Sequence, residues 1–277
     1  EYAGMVTRFK QSEGIGLLAG GNNINSPGFS FGNQRLQFGG NNRSFGGGQG
    51  IVTSNNYGVN YINVFKKIFE VSGDYFYKNS ESDNKSSSNR ETFLSDGTSF
   101  YRNSETTSLN ESDSHDASID FEIEIDSTFR IDIETDFNKN LNTNVFKSES
   151  ETLNNNKTLT NNSKIGSIAD SDRESFDNEI NLTKKFGRKG SFLRVELTAN
   201  LRKTETDDFV KSETNIFGSN PGQIIRDQYS DGNSDTKDLG SEFTYRIPLT
   251  ANKLFLDIAY DLRNANTKNK RSTFNFD

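Results

Sequence analysis

His115-Asp116-Ala117-Ser118-Ile119-Asp120-Phe121-Glu122-Ile123-Glu124-Ile125-Asp126 is the stretch on which the fold turns. Apolar and charged residues alternate strictly, and a period of two describes a β-strand with one apolar and one charged face. After Ser127 and Thr128 the pattern resumes, with Phe129, Ile131, Ile133, Thr135 and Phe137 set against Arg130, Asp132, Glu134 and Asp136. A turn at Asp126–Thr128 pairs the two strands as a hairpin, placing Ile125 against Phe129, Ile123 against Ile131 and Phe121 against Ile133. One face is then wholly apolar. The other sets Glu124 against Arg130, but Glu122 against Asp132 and Asp120 against Glu134. Facing like charges destabilise a strand pair by some tenths of a kcal/mol, so this face belongs in water or beside cations.

Four more hairpins follow the same design. Tyr2 to Phe9 turns into Gly14 to Gly21, and Tyr57 to Phe65 into Ile68 to Lys78. Phe176 to Phe186 turns through Gly187-Arg188-Lys189-Gly190 into Leu193 to Leu201. Leu239 to Ile247 turns through Pro248 to Asn252 into Leu254 to Leu262, in a register that pairs Ile247 with Leu254 and Phe243 with Ile258. Between hairpins, residues 23 to 53, 79 to 114, 139 to 173 and 204 to 237 are polar and rich in Asn, Ser, Asp, Glu and Gly, and they read as long loops. Short turns alternating with long connections fit a chain that crosses a slab antiparallel, with turns on one side and loops on the other. Segments of about 9–11 residues suit a tilted crossing of hydrocarbon. A soluble sandwich also alternates, but it needs an apolar layer on the second face, and no helix-period segment offers one. The expected fold is all-β, an antiparallel transmembrane β-barrel, as a partial wall of about ten strands with short periplasmic turns and long extracellular loops. It forms a single domain over residues 1–277, and Arg271 to Asp277 is expected to open an eleventh strand cut short by truncation.

Composition supports this expectation. Hydrophobic residues make up 30% of the chain and mean hydropathy is -0.81, yet 23 Phe and 9 Tyr occur in alternation, which a disordered polar chain lacks. No apolar run approaches the roughly 18 residues of a membrane-spanning helix. With no Cys there is neither a bridge nor a thiolate site. A net charge of -7 argues against nucleic acid, since phosphate neutralisation needs a basic surface. The chain begins at Glu1 without a signal-peptide pattern, so it is expected to be processed or cut from something longer.

Asp120, Glu122, Asp132 and Glu134 form the leading candidate site, a cation-attracting patch in the barrel lumen. The plainer explanation is a solvated interior balanced by Arg194, Arg202 and Arg246. Alternate carboxylates on one strand stand roughly 6–7 Å apart, too far for one ion unless a loop folds over. No catalytic, cofactor or metal site is expected: His115 lies in a polar surround, Gly46-Gly47-Gly48-Gln49-Gly50 lacks the Lys-Ser/Thr of a phosphate loop, and Asp227, Asp231 and Asp235 around Gly232 lack calcium-loop spacing. Lys184, Lys185, Arg188 and Lys189 form a basic turn, read as a solvated hairpin end or a lipid-headgroup contact. Phe65, Phe69, Tyr75, Tyr77, Phe186, Phe192, Tyr245 and Tyr260 lie toward strand ends, where an aromatic girdle belongs, although Trp is absent.

Several stretches carry a resemblance: Asn22-Asn23-Ile24-Asn25 with Ser26-Pro27-Gly28-Phe29-Ser30-Phe31-Gly32, then Tyr57-Gly58-Val59-Asn60-Tyr61, Val71-Ser72-Gly73-Asp74-Tyr75-Phe76-Tyr77, and Asp227-Gln228-Tyr229-Ser230-Asp231. In order and spacing they resemble the early barrel of the TonB-dependent-receptor-like outer-membrane β-barrel family of Bacteroidota. The resemblance implies a larger barrel, an N-terminal plug and energised uptake of a large nutrient such as a metal chelate, glycan or peptide. The implied partners are outer-membrane lipid, the TonB complex acting through a plug region this chain does not contain, and a surface lipoprotein. Two other functions remain open: a small closed barrel or surface adhesin acting through its loops, and a secreted glycan-binding β protein.

Overall fold

The computed structural model describes residues 2–22, 50–66, 68–187, 190–250 and 253–276. It contains ten strands: β1 (Tyr2–Lys10), β2 (Glu13–Asn22), β3 (Ile51–Phe65), β4 (Phe69–Phe93), β5 (Ser99–Asp126), β6 (Phe129–Leu153), β7 (Leu159–Lys185), β8 (Phe192–Ile216), β9 (Gly222–Thr250) and β10 (Leu254–Asn275). Each pairs antiparallel with its neighbours in sequence, giving one sheet in the order β1 to β10. The sheet does not close: β1 and β10 are its two edges. Among the described residues, contacts between elements join only consecutive strands, so no second layer covers the apolar face, while Leu18, Val52, Asn56 and Phe76 on the other face of β2 to β4 are buried.

The expected register of the central hairpin holds. Ile123 faces Ile131, Phe121 faces Ile133, Glu124 faces Arg130, Glu122 faces Asp132 and Asp120 faces Glu134. At the turn the pairing slips from Glu124–Arg130 to Asp126–Phe129, which leaves Ile125 at a bulge rather than opposite Phe129. Asp126 closes the turn by accepting hydrogen bonds from the Thr128 backbone N–H (2.7 Å) and hydroxyl (2.6 Å). In the last hairpin the register differs from expectation by two residues. Ile247 faces Leu256 and Phe243 faces Tyr260, with a bulge at Leu254/Phe255. A two-residue slip keeps every side chain on its face, so hydropathy alone could not detect it.

The long-loop expectation is corrected. Residues 79–93, 99–114, 139–153, 159–173, 204–216 and 222–237 continue the strands, and the connections shrink to tight turns at 94–98, 154–158 and 217–221. Beyond the alternating segments both faces turn polar, which erases the period-two signal while leaving the backbone ladder intact. Side chains add their own rungs: Thr106 to Ser148 (3.3 Å), Asn142 to Asn110 (3.1 Å), Ser163 to Thr214 (3.0 Å) and Ser234 to Asn269 (2.6 Å). The connection after Asn22 lies mostly outside the described residues, as do Asn23 to Gly32 of the resemblance and Gly46 to Gln49. The eleventh strand is corrected as well, because Arg271 to Asn275 belong to β10, pairing with Gly232 to Gln228 of β9.

One face carries an apolar band. Across β4 to β8, Val71–Phe121–Ile133–Ile180–Leu197 form one row, and across β5 to β8 Ala117–Phe137–Phe176–Leu201 form another nearer the middle of the strands. Phe129 to Phe137 covers about 26 Å of strand, or ~20 Å of height at a barrel-like tilt. The band is open to its surroundings: Ile119 is 46% exposed, Leu239 49% and Ile258 52%. It ends at a charged belt on the same face, where Lys139 meets Glu174 at 2.5 Å and Asp172 at 3.3 Å, and Lys203 meets Glu205 at 2.7 Å.

The tip turn of β4–β5 supplies a test of the backbone. Gly97 has φ +81° and its missing Cβ would touch nothing, whereas Gly166 sits in open space within β7 without a positive φ. Gly97→Ala is therefore expected to cost about 1 kcal/mol through strain alone, and Gly166→Ala to gain about 0.5 kcal/mol. Urea midpoints of the two variants, read against the parent, check both signs.

Candidate functional site: an acidic belt on the polar face

The opposite face, near the short turns, gathers carboxylates across adjacent strands. Glu70, Glu122 and Asp132 stand side by side on β4, β5 and β6; Asp120, Glu134 and Glu179 do so on β5, β6 and β7; Asp136 faces Asp177, and Glu196 faces Glu242, which faces Asp261. The four predicted residues Asp120, Glu122, Asp132 and Glu134 are thus brought together. Glu70, Glu179 and Glu196 join them, lining the same depression of about 540 Å³ with Ser72, Asn181, Thr183, Arg130 and Arg194. Those three glutamates escaped sequence reading because their neighbours come from separate hairpins. The signal that could have found them is parity, since each lies on the polar face of its own strand.

Few cations serve this belt. Arg130 bridges Glu122 (2.9 Å) and Asp132 (2.8 Å) at its turn end. Arg202 reaches Asp177 at 3.5 Å and Arg246 pairs with Asp257 at 2.6 Å, so two of the expected balancing arginines engage acids. The third, Arg194, lines the depression. Hydroxyls soften other members: Ser72 donates to Asp120 (3.2 Å) and Ser118 to Asp74 (2.6 Å). Among the described residues no group of three or more acidic or imidazole side chains has the geometry to hold a metal ion. Carboxylates spread over adjacent strands with few counter-charges set up a diffuse negative potential over this face.

Other singled-out residues fall elsewhere. His115 lies on the apolar-band face at its charged edge, with Nδ1 2.7 Å from the Tyr75 hydroxyl and its ring 4.9 Å from that of Tyr77. Asp227, Asp231 and Asp235 alternate along one side of β9. Lys184 at the basic turn lies 3.5 Å from Asp126, while Arg188 and Lys189 fall outside the described residues. The aromatic candidates split: Phe65–Phe69–Phe121 pack in series at the turn end of the band, and Tyr57–Tyr77–His115 pack at its far end.

Just past the band, Tyr77 donates to Asp113 (2.7 Å), which also accepts from Asn79 (3.0 Å). These bonds hold the Asp113 carboxyl below its ordinary range and push the Tyr77 phenol up to about 12. Asp113 thus contributes stability that is present above the ordinary carboxylate pKa and lost as pH falls through its depressed value. The Tyr77 contribution is present below about pH 10 and lost as pH rises through about 12. In an ultraviolet titration, the parent-minus-Tyr77→Phe difference should show phenolate forming near pH 12, moving back toward 10 in Asp113→Ala.

In the belt, Glu134→Gln removes one of a facing acid pair with Glu179. It should raise stability by about 0.2–1 kcal/mol at low salt, and the gain should shrink in high salt. Denaturant midpoints at two ionic strengths give the comparison.

No protein-family model matches this chain and no curated protein is similar to it, so the geometry of the two faces carries the functional reading.

Proposed function

We propose that this chain is a section of the wall of an outer-membrane β-barrel, of TonB-dependent-receptor type, that serves uptake of a large nutrient and carries no enzymatic activity of its own. The observation that carries the reading is the uncovered apolar band set against a polar opposite face, with no second protein layer among the described residues. In water such a band is a liability. In a bilayer it meets acyl chains, while the carboxylates line an aqueous lumen. All nine described or bounded connections alternate between the two ends of the sheet, as an antiparallel crossing requires. Outer-membrane lipid is then the first partner, and the nutrient a second. The TonB complex would act through a plug that these residues do not include, and a surface lipoprotein would meet the strand tips. The strands run about 45 Å beyond the band, which favours one further reading, a surface adhesin presenting its hairpin tips.

Lipid exposure makes a depth-dependent prediction. Ile133→Arg, in the middle of the band, should lower stability in lipid vesicles by about 2–4 kcal/mol, and Val145→Arg, on the same face far beyond it, by less than about 1 kcal/mol. Equal penalties, or a parent protein that is folded and monomeric in buffer without detergent, would remove the membrane reading. The latter result, joined to a measurable sugar affinity, would favour a secreted glycan-binding protein.

A further inference from the structure

The polar face changes sign along the strands. Past the row Asp116–Asn138–Ser175–Arg202 it becomes mostly a lawn of small neutral groups, for example Ser112, Asn142 and Ser171 across β5, β6 and β7, with Phe146, Ile165 and Val210 set among them. Its charged members are Lys78, Arg90, Arg102, Arg173, Arg226 and Arg271. Among the described residues Asp208 is the one acid on this part of the face, and it is taken by Arg271 at 3.6 Å. Arg90 and Arg102 face each other directly across β4 and β5, both exposed, an arrangement that costs stability unless an anion lies between them.

The opposite face of the same strand segments is an internal control. It mixes lysines with acids, as in Glu149–Lys164–Glu213 across β6, β7 and β8, where Lys164 lies 3.2 Å from Glu149. If solvation were the only requirement, both faces would carry that mixture. Instead the polar face carries one acid among the described residues, Asp208, and uses arginine, whose planar fork binds carboxylate and sulfate oxygens in pairs. Surrounding hydroxyls and amides suit a ligand dense in hydroxyl groups. The stacked rings of Phe209, Tyr229 and Phe274, which could serve nucleic-acid bases, lie on the other face.

We propose that the polar face of the strand extensions docks an anionic polysaccharide, with its acidic groups on Arg90, Arg102, Arg173 and Arg226 and its hydroxyls on the Ser/Thr/Asn lawn. This rests on the reading that the apolar band lies in lipid, which leaves the polar face wet at the barrel mouth. The acidic belt below repels the same carboxylates, so the polymer is held at the mouth.

The test uses the full chain refolded in detergent, with fluorescent polygalacturonate as probe and neutral dextran of matched length as control. Polygalacturonate should bind and dextran should not. Lys78→Gln/Arg173→Gln/Arg226→Gln should weaken binding about tenfold, and Lys147→Gln/Lys164→Gln/Lys211→Gln on the opposite face should leave it within about twofold. If the first triple fails to refold, Arg173→Gln alone should cost about threefold. Equal losses from both triples, dextran binding as tightly, or an oligothymidylate binding as tightly would each overturn the proposal. Heat-modifiable gel migration separates the two readings. A protein that shows it yet ignores polygalacturonate loses the docking site and keeps the barrel; one that binds without detergent and without heat-modifiable migration loses the barrel and keeps the docking site.

Discussion

A single sheet with an apolar face that no other element covers among the described residues is the constraint on which the rest of this structure depends. Backbone ladders satisfy the peptide groups of the interior strands, but they do nothing for Ile119, Leu197 or Ile258, whose apolar area remains open. Soluble sheets resolve this by adding a layer, and here, among the described residues, each strand contacts only its sequence neighbours. Either another phase covers the band or the sheet is unstable. The proposed assignment to lipid follows from that alternative, and it accounts for the gathering of carboxylates on the other face near the short turns.

The same constraint bears on the edges. β1 and β10 each offer a row of unpaired backbone groups, and at the level of the band such an edge is costly in lipid. β1 is 9 residues long and β10 is 22, so the two edges match over the band and not over the extension. On the proposed reading, the open sheet is a section of a larger wall, with the free length of β10 available to a further long strand.

Legibility followed hydropathy contrast. Where Ile and Phe alternate with Asp and Glu, strand existence, face and register of the central hairpin could be read from residues 115 to 137 alone. Where Ser, Thr and Asn alternate with Glu, Asp and Lys, as from Asn138 to Glu151, both faces are polar and the same backbone geometry leaves no hydropathic trace. Those stretches resemble loops until the neighbouring strands are in place to receive their hydrogen bonds. The acidic site was legible to the same extent: Asp120, Glu122, Asp132 and Glu134 belong to one hairpin, and their like-charge facing followed from its turn. Glu70, Glu179 and Glu196 required the inter-hairpin registers, which are set by pairings distant in sequence.

A strand that is polar on both faces has a weakly specified register, because a slip exposes nothing that was hidden. The extensions nevertheless keep one register from the band to the tips, apart from the slip at Thr152/Leu153. Part of the cause is propagation from the apolar rows below. The other part is a thin apolar row on the band's face, Leu109–Val145–Ile168–Phe209–Tyr229–Phe274, continuous from β5 to β10. Phe209 stacks on Tyr229 at 4.6 Å and Tyr229 on Phe274 at 6.0 Å, and the Tyr229 hydroxyl is tied down by Asp207. A one-residue slip would turn these side chains to the opposite face, and a two-residue slip would set them against charged neighbours such as Asp170 and Lys211. One row is too narrow to serve as a core, but it lies far enough from the band to act as a second clamp. Two clamps separated by polar strand fix both ends of each rung between them, which lets the arginine-bearing face hold a defined spacing without a packed interior.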